Sequence, residues 1–204
     1  MTDTSLDVER LSGLQNQLSK LSTASEEGRK ARYDLRTALE NTCYELKGIG
    51  IELNQRYASS AVYLEDEGEP PVLEEPRLRY YKSTYPGSRL PHAWLNTSIP
   101  AASISTVDLA GNGRFALFIG IGGGDWKKAA KEVSAILDIE IPAYSIGFGQ
   151  DYEDPHFQWE DNRGVEESGC VLIRPDRFVA WRCQRVTTDC VPKLTHVLKS
   201  ILSI

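Results

Sequence analysis

The sequence has no surplus of positive charge. Its 23 Lys and Arg face 29 Asp and Glu, for a formal net charge of −6. Nucleic-acid binding needs a basic face, and adhesion to an anionic bilayer needs a basic patch, so neither partner is expected. No apolar run approaches the ~18 residues of a membrane span. The opening MTDTSLDVERL lacks the basic and apolar regions of a secretory signal. A cytoplasmic protein is the expectation, with no membrane contact.

Cysteine is scarce, and no two cysteines form a CxxC pair or a cluster with zinc spacing. Without a secretory signal, Cys43, Cys170, Cys183 and Cys190 are read as reduced and mostly buried. His92, His156 and His196 stand far apart in the chain, so no metal is expected.

A phosphate loop is missing too. The stretch GIGGGDW at 120–126 follows the apolar run RFALFI, where a nucleotide loop would stand. A dinucleotide fingerprint wants GxGxxG, with an acidic residue about 20 positions later. Here Asp125 occupies the third glycine position. An aspartate at a helix N-terminus caps the donors that would meet a phosphate, and its charge repels one. The Gly-Lys-Ser/Thr of a Walker loop is absent as well. The glycines therefore read as a tight turn, with Asp125 capping the helix. A loop lining a pocket for a neutral ligand is the alternative. No cofactor is expected.

What is present is ordinary for a globular protein: 41% hydrophobic and 25% charged residues. A length of 204 residues allows one domain with a real core plus an appendage. Leu11, Leu14, Leu18 and Leu21 recur at helical spacing. Thr23-Ala-Ser-Glu26 fits a capping box opening a second helix, whose stripe is Leu35, Leu39, Cys43 and Leu46 and whose stop is Gly48 and Gly50. Residues 5–47 thus read as a helical hairpin. Core packing is the simpler account of its stripe, and a second copy is the other. Short extended stretches follow, and then DEGEPPVLEEP, acidic and proline-rich, reads as an exposed loop or linker.

Beyond residue 103 the pattern alternates. SISTVDLA reads as a strand turning at GNG into the buried strand RFALFIGI. WKKAAKEVSAILDI is an amphipathic helix with Ala129, Val133, Ile136 and Leu137 inward. IPAYSIGFG is a strand, GCVLIRP and RFVAWRC form a hairpin on an Arg-Pro-Asp turn, and CVPKLTHVLKSIL closes the chain as a helix. This is an α/β order: a thioredoxin-like domain with a βαβ-ββα core and an N-terminal helical hairpin. The expected parts are 1–66 (hairpin and following segment), 67–102 (acidic linker and aromatic loop) and 103–204 (thioredoxin-like domain). The loop where a thioredoxin carries its redox CxxC has no cysteine here, which excludes thiol–disulfide exchange at that place.

Three stretches carry a resemblance: PGSRLPHAWL at 86–95, STVDLAGNGRFALFIG at 105–120 and VLIRPDRFVAWR at 171–182. Together they resemble the C-terminal, thioredoxin-like region of FAD-dependent aromatic hydroxylases of the phenol 2-monooxygenase type. GIELNQRYASSAV at 50–62 resembles the segment just before it. The flavin-binding motifs of that family are absent from this sequence. Beginning with Met and a helix of its own, the chain is expected to be a complete small protein. Stand-alone relatives of this region include fungal isomerases that rearrange an epoxide in quinolone alkaloid pathways, which the chain is taken to resemble. That resemblance implies a cofactor-free isomerase acting on a small apolar aromatic substrate, with a homodimer as the assembly.

Such chemistry needs an acid to protonate the epoxide, aromatic faces to stabilise a cation, and exclusion of water. Asp108, His92 and Asp125 are the leading acids, and Asp151, Glu160 and Asp161 lie in a polar loop. Arg89, Trp94, Tyr85, Tyr81 and Trp126 are the leading substrate contacts, with Tyr80, Tyr144, Phe148 and Trp159 as further aromatics. The expected pocket is the seam of the 80–95 loop, the hairpin and the sheet. Each candidate also has a structural account. Asp108 can bond turn amides. Arg89 and His92 can anchor the loop. Trp94 and Trp181 read as core. His156 and His196 read as surface or structural positions, and Arg174 and Asp176 as turn residues. The second reading of function is a non-catalytic subunit that dimerises or joins a flavin-dependent hydroxylase.

Overall fold

A computed structural model describes residues 4–99 and 101–204, with side chains from residue 11 onward. Residues 1–3, where the 1–66 segment begins, and Pro100 lie outside the described residues. The chain divides into two compact units, the first ending at Gly48 and the second spanning Ile49–Ile204.

The first unit is the helical hairpin, α1 (Thr4–Leu21) and α2 (Glu26–Leu46). Ser25, not Thr23, caps α2: its Oγ accepts from Gly28 N at 3.1 Å. Thr23 Oγ1 instead donates to Lys20 O at 2.8 Å, closing the end of α1. The leucine stripe does not form a core. Leu11, Leu14, Leu18, Leu35, Leu39 and Leu46 are all exposed, and Gly28 is the buried residue of α2. Two helices alone present too little surface to enclose two apolar stripes.

The second unit opens with a short helix, α3 (Ile49–Leu53), and is built on a four-stranded mixed sheet. Its strands are β3 (Ala116–Ile119), β4 (Ala143–Ser145), β5 (Cys170–Ile173) and β6 (Val179–Cys183), in the order β4-β3-β5-β6. β3 and β4 are parallel, joined by the crossover helix α5 (Gly124–Leu137); β3–β5 and β5–β6 are antiparallel. With the closing helix α7 (Cys190–Leu202), this is the thioredoxin-like α/β order.

ALFI and CVLI are unbroken apolar runs because both sheet faces are covered. Leu117, Ile119, Cys170 and Leu172 pack with Trp126, Ala129 and Val133 of α5 and Leu194 and Leu198 of α7. Ala116, Phe118, Val171 and Ile173 pack on the opposite face with Leu90, Leu95, Leu109 and Trp159. Ile136, expected inward, is exposed on α5, while Leu137 is partly buried against the core.

The second face is covered by β1 (Trp94–Leu95), β2 (Ile104–Ser105), α4 (Thr106–Leu109) and α6 (Gln158–Asn162). Here the sequence reading needs correction, because SISTVDLA is not one strand. Ser105 Oγ accepts from Val107 N at 3.1 Å and starts a turn of helix. Thr106 Oγ1 donates to Pro91 O at 2.7 Å and accepts from Ala93 N at 3.0 Å, which fixes that turn over the sheet. Local side-chain bonding to the backbone outcompeted the alternation of apolar residues.

The glycine-rich loop is a turn. A Cβ on Gly120 would stand 2.1 Å from Glu167 O, and Gly122 has φ +83°. Asp125 does not cap α5, however. Gly123 is the N-cap, without a side-chain bond, and Asp125 lies in the first turn, pairing with Lys128 Nζ at 2.7 Å. Among the described residues no helix is long and apolar enough to cross a membrane.

Candidate functional site

The loop 86–92 is bound to the sheet as a partial fifth strand. Gly87 N donates to Val179 O, Val179 N to Ser88 O, and Leu90 N to Arg177 O, at 2.8, 2.8 and 2.9 Å. This pairs the free edge of β6, which would otherwise offer an open ladder. On its other side the loop receives Tyr57 N at Gly87 O, 2.9 Å, and Arg56 faces Ser88. A Cβ on Gly87 would meet Tyr57 O at 2.2 Å, and φ there is +90°, so only glycine fits between the two backbones.

A cleft of about 290 Å³ opens beside this junction. Arg56, Arg89, Tyr81, Asn54 and Leu73 are among its lining residues. Of the residues proposed from sequence, it brings together Tyr81 and Arg89. Arg89 lies over the Phe178 ring at 5.4 Å and Arg56 over the Tyr85 ring at 5.5 Å. Burial pushes the Tyr80 hydroxyl pKa up, against the opposing charge of Arg89. Asn54 orders the cleft wall: Nδ2 donates to Pro76 O and Arg79 O, both at 2.7 Å, and Oδ1 accepts from Tyr81 N at 2.9 Å.

The other sequence candidates lie elsewhere. Tyr85 is buried, donating to Gly68 O at 2.8 Å. His92 and Trp94 meet edge to face, 4.7 Å between centroids, and His92 Nδ1 shares a 2.7 Å hydrogen bond with Ser105 Oγ. Trp94, read as core, is 43% exposed. Asp108 and Asp125 are exposed, one on α4 and one on α5. Asp108 meets the turn through its backbone carbonyl, which accepts from Asn112 Nδ2 at 3.4 Å. Trp126 is wholly buried against Trp181, 5.5 Å between centroids, and its indole N–H has no partner among the described residues. Arg174 forks onto Asp176 at 3.1 and 2.9 Å and donates to Ala61 O at 3.0 Å, so it ties the hairpin turn to the preceding segment.

Sequence reasoning missed the acidic anchors. The stretch read as an exposed linker begins with two residues that grip the sheet. Asp66 accepts from Trp181 Nε1 at 2.8 Å and from Lys193 Nζ at 2.7 Å. Glu67 accepts both arms of Arg182, at 2.7 and 2.8 Å, with both side chains largely buried. The motif ending Trp181-Arg182 is thus the receiver of Asp66-Glu67. No local pattern around the acids announces this, because Trp181 and Arg182 are 115 residues away and Lys193 is 127.

A second, larger cleft of about 460 Å³ lies at the carboxyl ends of β3 and β4, with Ile121, Phe148, Phe157 and Trp159 in its lining. Next to it, Asp151 accepts from Ser145 N and Oγ at 2.9 and 2.8 Å and pairs with Lys127. Burial works to raise the Asp151 pKa, but these donors outweigh it and hold it below its ordinary value.

The geometry agrees with what known proteins show. Residues 83–203 match the family described as aromatic-ring hydroxylase, C-terminal. Phenol 2-monooxygenase of Pseudomonas sp. (strain EST1001) is 42% identical over 85% of this chain and 28% of its own length. For 2,4-dichlorophenol 6-monooxygenase of Delftia acidovorans the values are 35%, 94% and 32%. A crystal structure of the flavin-dependent monooxygenase PieE in complex with FAD and substrate superposes with a TM-score of 0.82 at 36% identity, over 91% of this chain and 31% of that one. The chain therefore spans about a third or less of these relatives' length. With a family match over more than half its residues and a fold that agrees, it belongs to the aromatic-ring hydroxylase C-terminal family.

Proposed function

We propose that this chain acts as the C-terminal domain of a flavin-dependent aromatic-ring hydroxylase, docking on a flavin-binding body whose chemistry it does not itself perform. One observation carries the reading. The hairpin leaves its leucines exposed, yet the match to PieE takes in part of this hairpin, because the second unit alone falls short of 91% of the chain. A stripe of this kind needs a partner surface to bury it. A flavin-binding body is the partner that the family membership suggests.

The isomerase reading asks for more than the site offers. An acid that protonates an epoxide must be shielded from water, and Asp108 and Asp125 are exposed. His92 is half-buried and occupied by Ser105.

The test mixes the purified chain with the flavin-binding portion of the Pseudomonas phenol 2-monooxygenase and follows gel filtration at a flavin wavelength. Co-elution is expected, and Leu35→Lys with Leu39→Lys should abolish it. Separate elution of the two, with an epoxide-bearing aromatic converted to a product of unchanged mass by this chain alone, would replace docking with the isomerase. A dimer that forms without the flavin portion and is lost in the same variant would make a second copy the partner of the stripe.

A further inference from the structure

The five phenylalanines split into two groups. Phe115, Phe118 and Phe178 are buried, whereas Phe148 is 89% and Phe157 64% exposed. Both exposed rings line the same cleft of about 460 Å³ at the carboxyl ends of β3 and β4. Open α/β sheets bind ligands at this end, and the volume is that of a small-molecule site. Ile121, also exposed, and buried Trp159 complete an apolar lining.

Around this lining stand Glu153, Asp154, Glu160 and Glu167, against the single guanidinium of Arg163. Asp154 has a structural task, accepting from Gln158 N at 3.0 Å and Glu160 N at 2.9 Å to start α6. None of the four carboxylates forms an ion pair among the described residues. Phe157, the N-cap of α6, also holds a left-handed backbone, φ +54°, which is unfavourable for a bulky residue.

Aromatic faces and unpaired carboxylates around one apolar cleft attract the same thing, a positive charge on an apolar body. We propose that this cleft binds a small organic cation with an aromatic or aliphatic body, such as a primary aralkylammonium. The rings take the body and the charge lies between ring faces and the carboxylates of Glu160, Glu167 and Glu153. All the lining residues of this cleft belong to the second unit, and its test needs no flavin-binding body.

Three probes of one skeleton test it by calorimetric titration of the full chain at low salt: phenethylammonium, phenethyl alcohol and 3-phenylpropionate. Saturable binding of the cation is expected, with the alcohol about tenfold weaker and the carboxylate without measurable affinity. Phe148→Ala and Phe157→Gly should each weaken the cation about threefold. Glycine suits the positive φ at 157, so that variant removes the ring without straining the loop. Glu160→Gln with Glu167→Gln should weaken the cation about fivefold and flatten its salt dependence. Equal affinity for all three probes, no saturable heat, or unchanged binding in the ring variants with a retained unfolding midpoint would each overturn the proposal. So would binding of a Leu-Lys peptide where phenethylammonium does not bind, which would make the cleft a protein-docking surface instead.

Discussion

Glu67 shows how much a single side chain can carry without being visible in the sequence. It sits in a run of acids and prolines that reads as solvated linker, yet its carboxylate is taken by both arms of Arg182 in a largely buried pair. Removing one partner of such a pair leaves the other charge buried and uncompensated, which costs about 3 kcal/mol. Glu67→Ala is therefore expected to lower unfolding stability by that amount in urea titration. Glu69→Ala, at an exposed neighbouring position, should stay within about 0.5 kcal/mol of the parent. Equal effects would show that the pair has no special weight. Gly87 is the opposite case, a residue in a motif legible from the start whose reason emerges only from the fold. The PGSRLPH loop is squeezed between Tyr57 and β6, so Gly87→Ala should destabilise by about 2 kcal/mol through clash and positive φ together. A neutral result in thermal unfolding would mean that the loop gives way.

At the scale of elements, the most readable parts were those with a simple burial rule. β3 and β5 are four-residue apolar runs with both faces covered, and α5 buries one stripe. α4 was not readable, because its helical turn is set by Ser105 and Thr106 bonding to backbone at Val107, Pro91 and Ala93, contacts that alternation does not encode. The cap of α5 is hidden for a related reason: an aspartate at the second helical position and one at the cap look alike in sequence. The joint between β4 and the following loop is a further contact of this kind. Asp151 holds Ser145 and Lys127 together, and its folded pKa is depressed below the ordinary 3.8. A depressed carboxylate contributes stability that is present above its unfolded pKa and is lost as pH falls through the lower folded value. Asp151→Asn should thus cost about 1 kcal/mol or less at neutral pH, since the side chain is 40% exposed. The gap to the parent should close as pH falls below 3.8. A gap constant from neutral to acid pH in denaturant titrations would exclude the clamp as its source.

Across the whole molecule, the thioredoxin-like order was legible because it depends on element sequence alone. The exposure of the hairpin was not, because a leucine stripe has the same spacing whether it faces a core, a second copy or another domain. The two units consequently differ in what holds them. The second unit encloses two apolar layers on either side of one sheet, with its central strands β3 and β5 fully buried between them. The hairpin has no comparable core among its described side chains: its large apolar residues are exposed apart from the half-buried Leu21, and the ion pairs of α2, Glu26–Arg29 and Arg36–Glu40, lie on the surface. Surface pairs along a helix contribute only about 0.3–0.5 kcal/mol each, so the hairpin should open far more readily than the sheet. Hydrogen exchange on the isolated full chain should show this directly. Amides of residues 26–46 should exchange through local opening, whereas those of β3 and β5 should exchange only with global unfolding. Addition of a flavin-binding body that buries the stripe should then slow exchange in α2 selectively, leaving β3 and β5 as they were. Protection of α2 equal to that of the sheet in the isolated chain would show that the leucines already have a partner, and the docking surface would have to be sought elsewhere.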